Sequence, residues 1–170
     1  MLEFATTERK LAQNELIVSK TNLKGHITYI NDVFSDISDF RLKDVLNKPH
    51  SMIRHENMPR CVFQLLWERL QSGREIFAYV VNVTKDNDYY WVFAHVTPSR
   101  NAKGEITSYH SNRRAPSQKA IEKISALYDV LLREEKSHSN RKAGQKAGYA
   151  KLQEILKEKG VDYDEFVLSL

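Results

Sequence analysis

Residues 50–59, HSMIRHENMP, bring together two histidines, an arginine, a glutamate and an asparagine around three apolar side chains. Several kinds of chemistry use these residue types. Histidine and glutamate serve in acid–base catalysis, paired histidines bind metals, and the planar fork of an arginine pairs with phosphate. The same residues also cap helices, because polar clusters are structural as well as functional. Composition alone therefore favours catalysis, ligand or metal binding, and capping about equally.

Catalysis and metal binding find little support in the rest of the chain. No nucleophile, base and orienting group stand in a recognisable order, so we predict that the protein is not an enzyme. His50 and His55 are five residues apart in an irregular segment and lack a good third ligand for zinc. Cys61 is the only cysteine, which excludes an internal disulfide and a thiolate zinc cluster.

Bulk composition predicts a soluble, folded protein. The 170 residues are 41% hydrophobic and 28% charged, enough for one domain with an extension. No apolar run approaches the roughly 18 residues of a transmembrane helix, so no membrane insertion is predicted. The first 16 residues carry charges where a secretory signal needs an apolar core, which predicts a cytoplasmic protein.

The net charge of +4 belongs to one segment. Residues 133–159 carry eight Lys/Arg and four Asp/Glu, and the remaining residues carry 18 of each sign. Such a segment is usually a solvated helix face. Nucleic-acid binding is not predicted, because no recognisable module or interleaved aromatic pattern accompanies these charges.

The surrounding elements decide how the first motif is positioned. Apolar, β-branched and alternating segments predict two strands within ELIVSKTNLKGHITYIND and three longer ones from Ile76 onward. Short helices are predicted between the second and third strands, with Asn31 or Asp32 as a cap, and a longer helix begins after Pro59. Helices are also predicted after Ser117, from Arg141 to Gly160, and after Asp162.

This order, with the motifs GHITYINDVFSDISDF, NKPHSMIRHENMP, FQLLW, VVNVTKDNDYYWVFAHVTP and SYHSNRR, resembles the PAS domain of bacterial aerotaxis receptors. The resemblance implies an α+β PAS fold, in which short helices cover one face of a five-stranded antiparallel sheet and C-terminal helices follow. We predict an N-terminal cap at 1–14, a PAS sensor domain at 15–115 and a C-terminal helical extension at 116–170.

The resemblance also implies non-covalent FAD in the PAS pocket. It points to Arg54 and His55, to the acid position now occupied by Asn57, to Trp67 on the long helix and to Asn82 on the third strand. Asn31 joins this set because it lies at the end of the second strand, and Lys85 because it follows the third. Taken alone, Trp67 at helical spacing is more often a core residue, and Arg54 and His55 could cap helices.

The motif departs from the family pattern at one key position. Where the family has Arg-His-Pro-Asp-Met-Pro, this chain has Arg54-His55-Glu56-Asn57-Met58-Pro59. An aspartate only accepts hydrogen bonds whereas asparagine also donates, so Asn57 could retune flavin affinity or potential. Haem is the alternative cofactor, with axial candidates His26, His50, His55 and His95. Cys61 lacks the neighbouring residues of the light-sensing subgroup and is interpreted as a small helix residue.

The resemblance implies a sensor of redox, oxygen or energy state that reports to a separate chemoreceptor or transducer. No membrane anchor or long coiled coil is found, so a stand-alone soluble form is expected. A homodimer through the helices is predicted. The competing hypothesis is a ligand-free PAS module that only dimerises or binds partners.

Overall fold

A computed structural model of the chain describes Leu2 and residues 4–170. Met1 and Glu3, two residues of the predicted N-terminal cap, lie outside this part of the chain. The described remainder of the cap runs past the start of the fourth strand. Phe4 stacks on Tyr89 with ring centroids 3.9 Å apart, and the backbone N–H of Arg9 donates to the Tyr89 carbonyl at 2.7 Å.

Five antiparallel strands form one sheet in the order β2-β1-β5-β4-β3. Their bounds are β1 Ile17–Thr21, β2 Ile27–Ile30, β3 Ile76–Val83, β4 Tyr89–Arg100 and β5 Ile106–Arg114. The first strand is therefore internal, paired with β2 on one side and β5 on the other. The predicted five-stranded antiparallel sheet is confirmed.

Helical segments fill the connection between β2 and β3 and make up most of the C-terminal third. Their bounds are α1 Asp32–Ser38, α2 Leu42–Val45, a 3-10 turn His50–Ile53, α3 Arg60–Gln71, α4 Gln118–Lys136, α5 Arg141–Lys159 and α6 Tyr163–Leu168. Among the described residues, no helix combines the length and apolar character needed to cross a membrane.

Local sequence explains where these helices begin. The side chains of Asn31, Ser117, Asn140 and Asp162 each accept a backbone N–H in the first turn of α1, α4, α5 and α6, respectively. Such capping satisfies N–H groups that the helix itself leaves without a partner. The positive φ of Gly160, at +66°, ends α5 in the way the sequence predicts.

The C-terminal helices pack on β3 and β4 and on α3. Tyr128 of α4 lies against Trp91 with ring centroids 6.2 Å apart, and its hydroxyl donates to the Tyr79 carbonyl at 2.6 Å. Arg69 of α3, only 7% exposed, pairs with Asp162 and Asp164 at the start of α6. The extension is therefore joined to the helix that faces the sheet.

Candidate ligand-binding cavity

A cavity of about 240 Å³ lies between the inner face of the sheet and the connecting helices. Residues from β1, β3, β4, β5, α3 and the 3-10 turn surround it. Its apolar wall is formed by Phe63, Leu66, Leu70, Val80, Ala94 and Val96. Its polar wall is formed by Ser19, Thr21, His50, Ser51, Arg54, Asn82, Ser111 and Arg113. Apolar walls with a few polar groups are typical of small-molecule sites.

Arg54 and Asn82 reach the cavity through a short backbone pairing. Arg54 follows the 3-10 turn in an extended conformation and forms an isolated antiparallel bridge with Asn82 on the edge strand β3. The next N–H, that of His55, donates to the Val81 carbonyl at 3.2 Å. The pairing fixes which way each side chain of the motif points.

His55 points away from the cavity, because successive side chains of an extended segment face opposite sides. Its ring lies 5.0 Å from the ring of Phe4 and 5.9 Å from that of Tyr89, measured between centroids. Burial lowers the pKa of His55. Its Nδ1 accepts the backbone N–H of Asn57 at 3.0 Å, so the ring organises the turn before α3.

Ser19 joins two basic side chains at the polar end of the cavity. Arg113 donates from Nη2 to the Ser19 hydroxyl oxygen, and Ser19 Oγ lies 3.1 Å from His50 Nε2. Since a guanidinium only donates, the Ser19 hydroxyl accepts from Arg113 and is free to donate to His50. Burial and the nearby Arg113 lower the pKa of His50 to about 3, so the imidazole is neutral near pH 7.

The Arg113 guanidinium lies over the Phe34 ring, with Cζ 5.4 Å from the ring centroid, and Asn82 lies beside the buried hydroxyl of Tyr90. Three polar atoms at this end nevertheless form no hydrogen bond of normal geometry in the described part of the chain. They are Nδ2 of Asn82 and both Nε and Nη1 of Arg113. Asn82 and Arg113 are each 2% exposed. A buried donor without a hydrogen bond costs about 1–3 kcal/mol, and more when it is charged. Burial lowers the pKa of Arg113 to about 10, which still leaves it cationic at neutral pH.

Trp67 closes the cavity beside the first hairpin. Its ring meets Tyr109 edge-on with centroids 5.5 Å apart. A Cβ atom added at Gly25 would lie 2.8 Å from the Trp67 ring, and Gly25 also has a φ of +76°. The hairpin therefore needs glycine at this position for both its turn and its contact with Trp67.

The structure brings Arg54, Trp67 and Asn82 of the predicted set together at the cavity and leaves the other four outside it. Asn31 caps α1 and also donates to the Leu16 carbonyl at 2.8 Å. Asn57 and His55 belong to the turn before α3. Lys85 lies on the surface, with Nζ 3.8 Å from Asp44 Oδ2.

Sequence reasoning did not select Ser19, Ser111 or Arg113, and it considered His50 only as a metal or haem ligand. A usable signal existed on β5. Tyr109, Ser111 and Arg113 alternate along the strand, so all three share one face. Among the described residues, no group of three or more His, Cys, Asp or Glu side chains is arranged to hold a metal ion.

The fold and the cavity identify the class of protein. Residues 16–110 match the family model described as the PAS fold, and the chain belongs to this family. The predicted resemblance to an aerotaxis-receptor PAS domain is also confirmed. The chain is 34% identical to the aerotaxis receptor of Escherichia coli (strain K12) over 121 residues. That alignment covers 71% of this chain and 24% of the receptor, so the chain spans about a quarter of this relative.

Other relatives share the same region. A nitrogen fixation regulatory protein of Klebsiella pneumoniae is 26% identical over 102 residues, which cover 60% of this chain and 21% of that protein. Among solved structures, a light-oxygen-voltage domain studied with a flavin analogue superimposes with a TM-score of 0.58 at 16% identity. The superposition covers 65% of this chain and 84% of the chain of that domain. At this identity the likeness shows the fold alone.

Proposed function

We propose that this protein is a sensor that binds FAD in its PAS cavity and reports redox, oxygen or energy state to a separate transducer. One observation carries the proposal: the apolar cavity ends in polar side chains that include Asn82 and Arg113, and the atoms Asn82 Nδ2, Arg113 Nε and Arg113 Nη1 form no hydrogen bond within the described residues. The relation to an aerotaxis receptor supports the same assignment.

The cavity residues fit a flavin ring. An isoalloxazine is a flat, mostly apolar ring system with carbonyl oxygens and ring nitrogens along one edge. The apolar wall around Leu66, Val80 and Val96 suits its faces, and the donors of Asn82 and Arg113 suit its polar edge. Pairing these donors with a ligand would remove their desolvation cost, which makes ring binding favourable beyond the apolar contact.

The size of the cavity limits how much of the ligand is enclosed. Ligand pockets commonly measure about 300–1,000 Å³, and this cavity measures about 240 Å³. We therefore expect only the ring to enter and the remainder of the dinucleotide to leave through the mouth. Arg54 lines that mouth, and its side chain is partly exposed.

When bound, FAD would supply reversible uptake of electrons. The chain's own residues would hold the ring edge and respond to its charge. Arg113 is joined to β1 through Ser19, and Asn82 is paired with the backbone of Arg54. A change in hydrogen bonding at either residue therefore acts on both the sheet and the segment that leads to α3. Such a shift between two states typically carries about 1–3 kcal/mol of coupling.

The alternatives fit less well. Haem takes an axial ligand, and of the four candidate histidines only His50 lines the cavity, where its Nε2 already contacts Ser19. A photochemical bond to sulfur is disfavoured because Cys61 is not among the cavity residues. A Cβ added at Gly148 of α5 would meet the sulfur at 3.4 Å, and burial with nearby Glu135 raises the pKa of the thiol.

The proposal also includes contacts between molecules. A depression between α4, α5 and α6 is largely apolar, and residues such as Leu127, Ile155 and Phe166 line it. Val130 in the same depression is 43% exposed. This surface supports a homodimer through the helices or a contact with the transducer.

The test is an absorbance spectrum of the purified protein followed by titration with FAD. We expect flavin bands, and we expect Asn82→Leu and Arg54→Gln each to weaken FAD binding about tenfold or more, since each removes a hydrogen bond at the cavity. A protein that stays colourless after incubation with excess FAD would refute the proposal.

The matched control is Lys85→Gln. It removes a positive charge from the end of β3, yet Lys85 lies outside the cavity and is 55% exposed. FAD affinity should change less than twofold. Equal losses in the Lys85 and Arg54 variants would show that general charge, rather than the cavity, governs binding.

A further inference from the structure

Four cationic side chains surround a second depression, of about 350 Å³, beside the cavity mouth. It is lined by Arg54, Arg60, Arg141, Lys142 and Gln145. Arg54 lines both this depression and the cavity, so the two are contiguous. Two of the cations, Arg141 and Lys142, come from α5, outside the region that matches the PAS family.

These cations have no ion-pair partner in the described part of the chain. Within Leu2 and residues 4–170, no carboxylate lies within 4.0 Å of any of the four, whereas Arg9, Arg69 and Arg133 each have one there. Glu135 attracts Arg54, but its carboxylate oxygens already accept the backbone N–H groups of Arg60 and Cys61, at 3.1 and 2.8 Å.

The cations also act on one another. Burial, Arg60 and Arg141 all lower the pKa of Arg54, in that order of size. Repulsion between like charges disfavours the folded protein, and an anion bound among them would relieve it. The depression therefore favours an anionic ligand.

Packing fixes α5 in this position. Gly144 and Gly148 let α5 approach Glu135 so closely that a Cβ at Gly144 would overlap the Glu135 carbonyl oxygen. Glu135 in turn caps the start of α3, which Arg60 begins. The first turn of α5 and the first turn of α3 are thus held side by side. Their cationic side chains therefore line the same depression.

We propose that Arg60, Arg141 and Lys142 join Arg54 in a binding site for the diphosphate of a dinucleotide, which makes the C-terminal extension part of the ligand site. The inference rests on the proposed function in that the ring of the same ligand occupies the cavity. Arginine forks pair well with phosphate oxygens, and lysine adds a point charge. The site distinguishes a dinucleotide from a flavin without phosphate.

The experiment compares FAD and riboflavin on the double variant Arg141→Gln/Lys142→Gln of the full chain. Both residues are exposed, so the substitutions should not disturb folding. FAD affinity should fall about five- to tenfold, because exposed charge-assisted contacts are lost. Riboflavin affinity should stay unchanged, and the salt dependence of FAD binding should become weaker.

The control is Lys123→Gln/Lys157→Gln, which removes two charges from exposed positions on α4 and α5. Lys157 lies about 23 Å along α5 from Arg141 and Lys142, given a rise of about 1.5 Å per residue. This variant should bind FAD like the unchanged protein. An unchanged FAD affinity in the Arg141/Lys142 variant, or an equal loss of riboflavin affinity, would overturn the inference.

A third arm separates this inference from the proposed function. Inorganic pyrophosphate and ADP are titrated into the unchanged protein and the Arg141/Lys142 variant by calorimetry. If no flavin binds but pyrophosphate binds and the variant weakens it, the anion site stands and the flavin proposal fails. If the unchanged protein binds flavin but the variant loses nothing for any phosphate ligand, only the anion site fails.

Discussion

At the scale of single residues, the alternation of side chains along an extended backbone decides which polar groups of the motif reach the cavity. Arg54 and His55 are neighbours, but the extended pairing with β3 turns Arg54 inward and His55 toward Phe4. Sequence reasoning treated the two as a pair because it could not determine that this short segment is extended. Arg113 was not predicted, because an arginine in a strand is rarely buried without a carboxylate paired to it.

His50 gives a pH-dependent prediction. Its pKa is about 3 in the folded protein, against an ordinary value of 6.5. Between these values the unfolded chain binds more protons at this site than the folded chain does. The contribution of His50 to the free energy of unfolding is therefore fully present above pH 6.5 and is lost as the pH falls toward 3.

We expect the free energy of unfolding of the ligand-free protein to fall by about 1–2 kcal/mol more between pH 7 and pH 5 than that of His50→Gln. Urea denaturation of both proteins at the two pH values measures this difference. Parallel losses in the two proteins would mean that His50 titrates normally in the folded state.

At the scale of elements, two small residues position the first half of α5, whereas Leu152 and Leu156 anchor its second half in the core. Gly144 and Gly148 are buried and sit four residues apart, so they share one face of the helix. That face rests on Glu135 of α4, whose carboxylate caps α3. Three helices therefore meet at one buried acid, and the position of α5 depends on the absence of side chains there.

Gly144→Ala tests this packing through the sign of its effect. In a free helix, alanine would stabilise by about 1 kcal/mol relative to glycine. Here the added methyl overlaps the backbone of Glu135, so we expect a loss of about 1–3 kcal/mol in the free energy of unfolding. Urea denaturation followed by circular dichroism gives the value.

The neighbouring substitution Ala143→Gly provides the control. Ala143 is exposed, so this change should cost only the difference in helix propensity, up to about 1 kcal/mol. A stabilising Gly144→Ala would show that α5 does not pack on α4 in solution.

The elements themselves were largely predictable because their signals are local. Asn31, Ser117 and Asp162 cap the predicted helices, and Gly160 ends α5 with the positive φ angle that its position indicated. The meander from β3 to β5 follows from its β-branched runs and short turns. The contacts between helices could not be predicted. Gly144 packs on Glu135, for example, but nothing in the sequence around either residue indicates the other as its neighbour.

At the scale of the whole molecule, the extension and the PAS body share buried contacts. Tyr163 and Val167 of α6 are at most 1% exposed, and Arg69 of α3 is neutralised by carboxylates at the start of α6. The apolar part of the cavity could be expected from the alternating strands. Its polar end could not, because Ser19, His50 and Arg113 come from three separated segments that only the fold brings together.

Asp164→Ala tests whether the two parts unfold together. The change leaves Arg69 buried with only one of its two carboxylates, and it removes the acceptor of the Phe77 N–H at 3.4 Å. Removing one partner of a buried charge costs about 3–5 kcal/mol. Because Asp162 still pairs with Arg69, we expect about 2 kcal/mol, a typical cost for one lost charge-assisted hydrogen bond.

Two probes report on different parts of the molecule. Both tryptophans, Trp67 and Trp91, lie in the PAS region, whereas circular dichroism is dominated by helices that include α4 and α5. If the molecule unfolds as one unit, Asp164→Ala should shift the fluorescence and dichroism midpoints together. Glu165→Ala, an exposed acid on the same helix without an ion pair to Arg69, should shift neither. A shift in dichroism alone would show that the extension unfolds separately from the sensor.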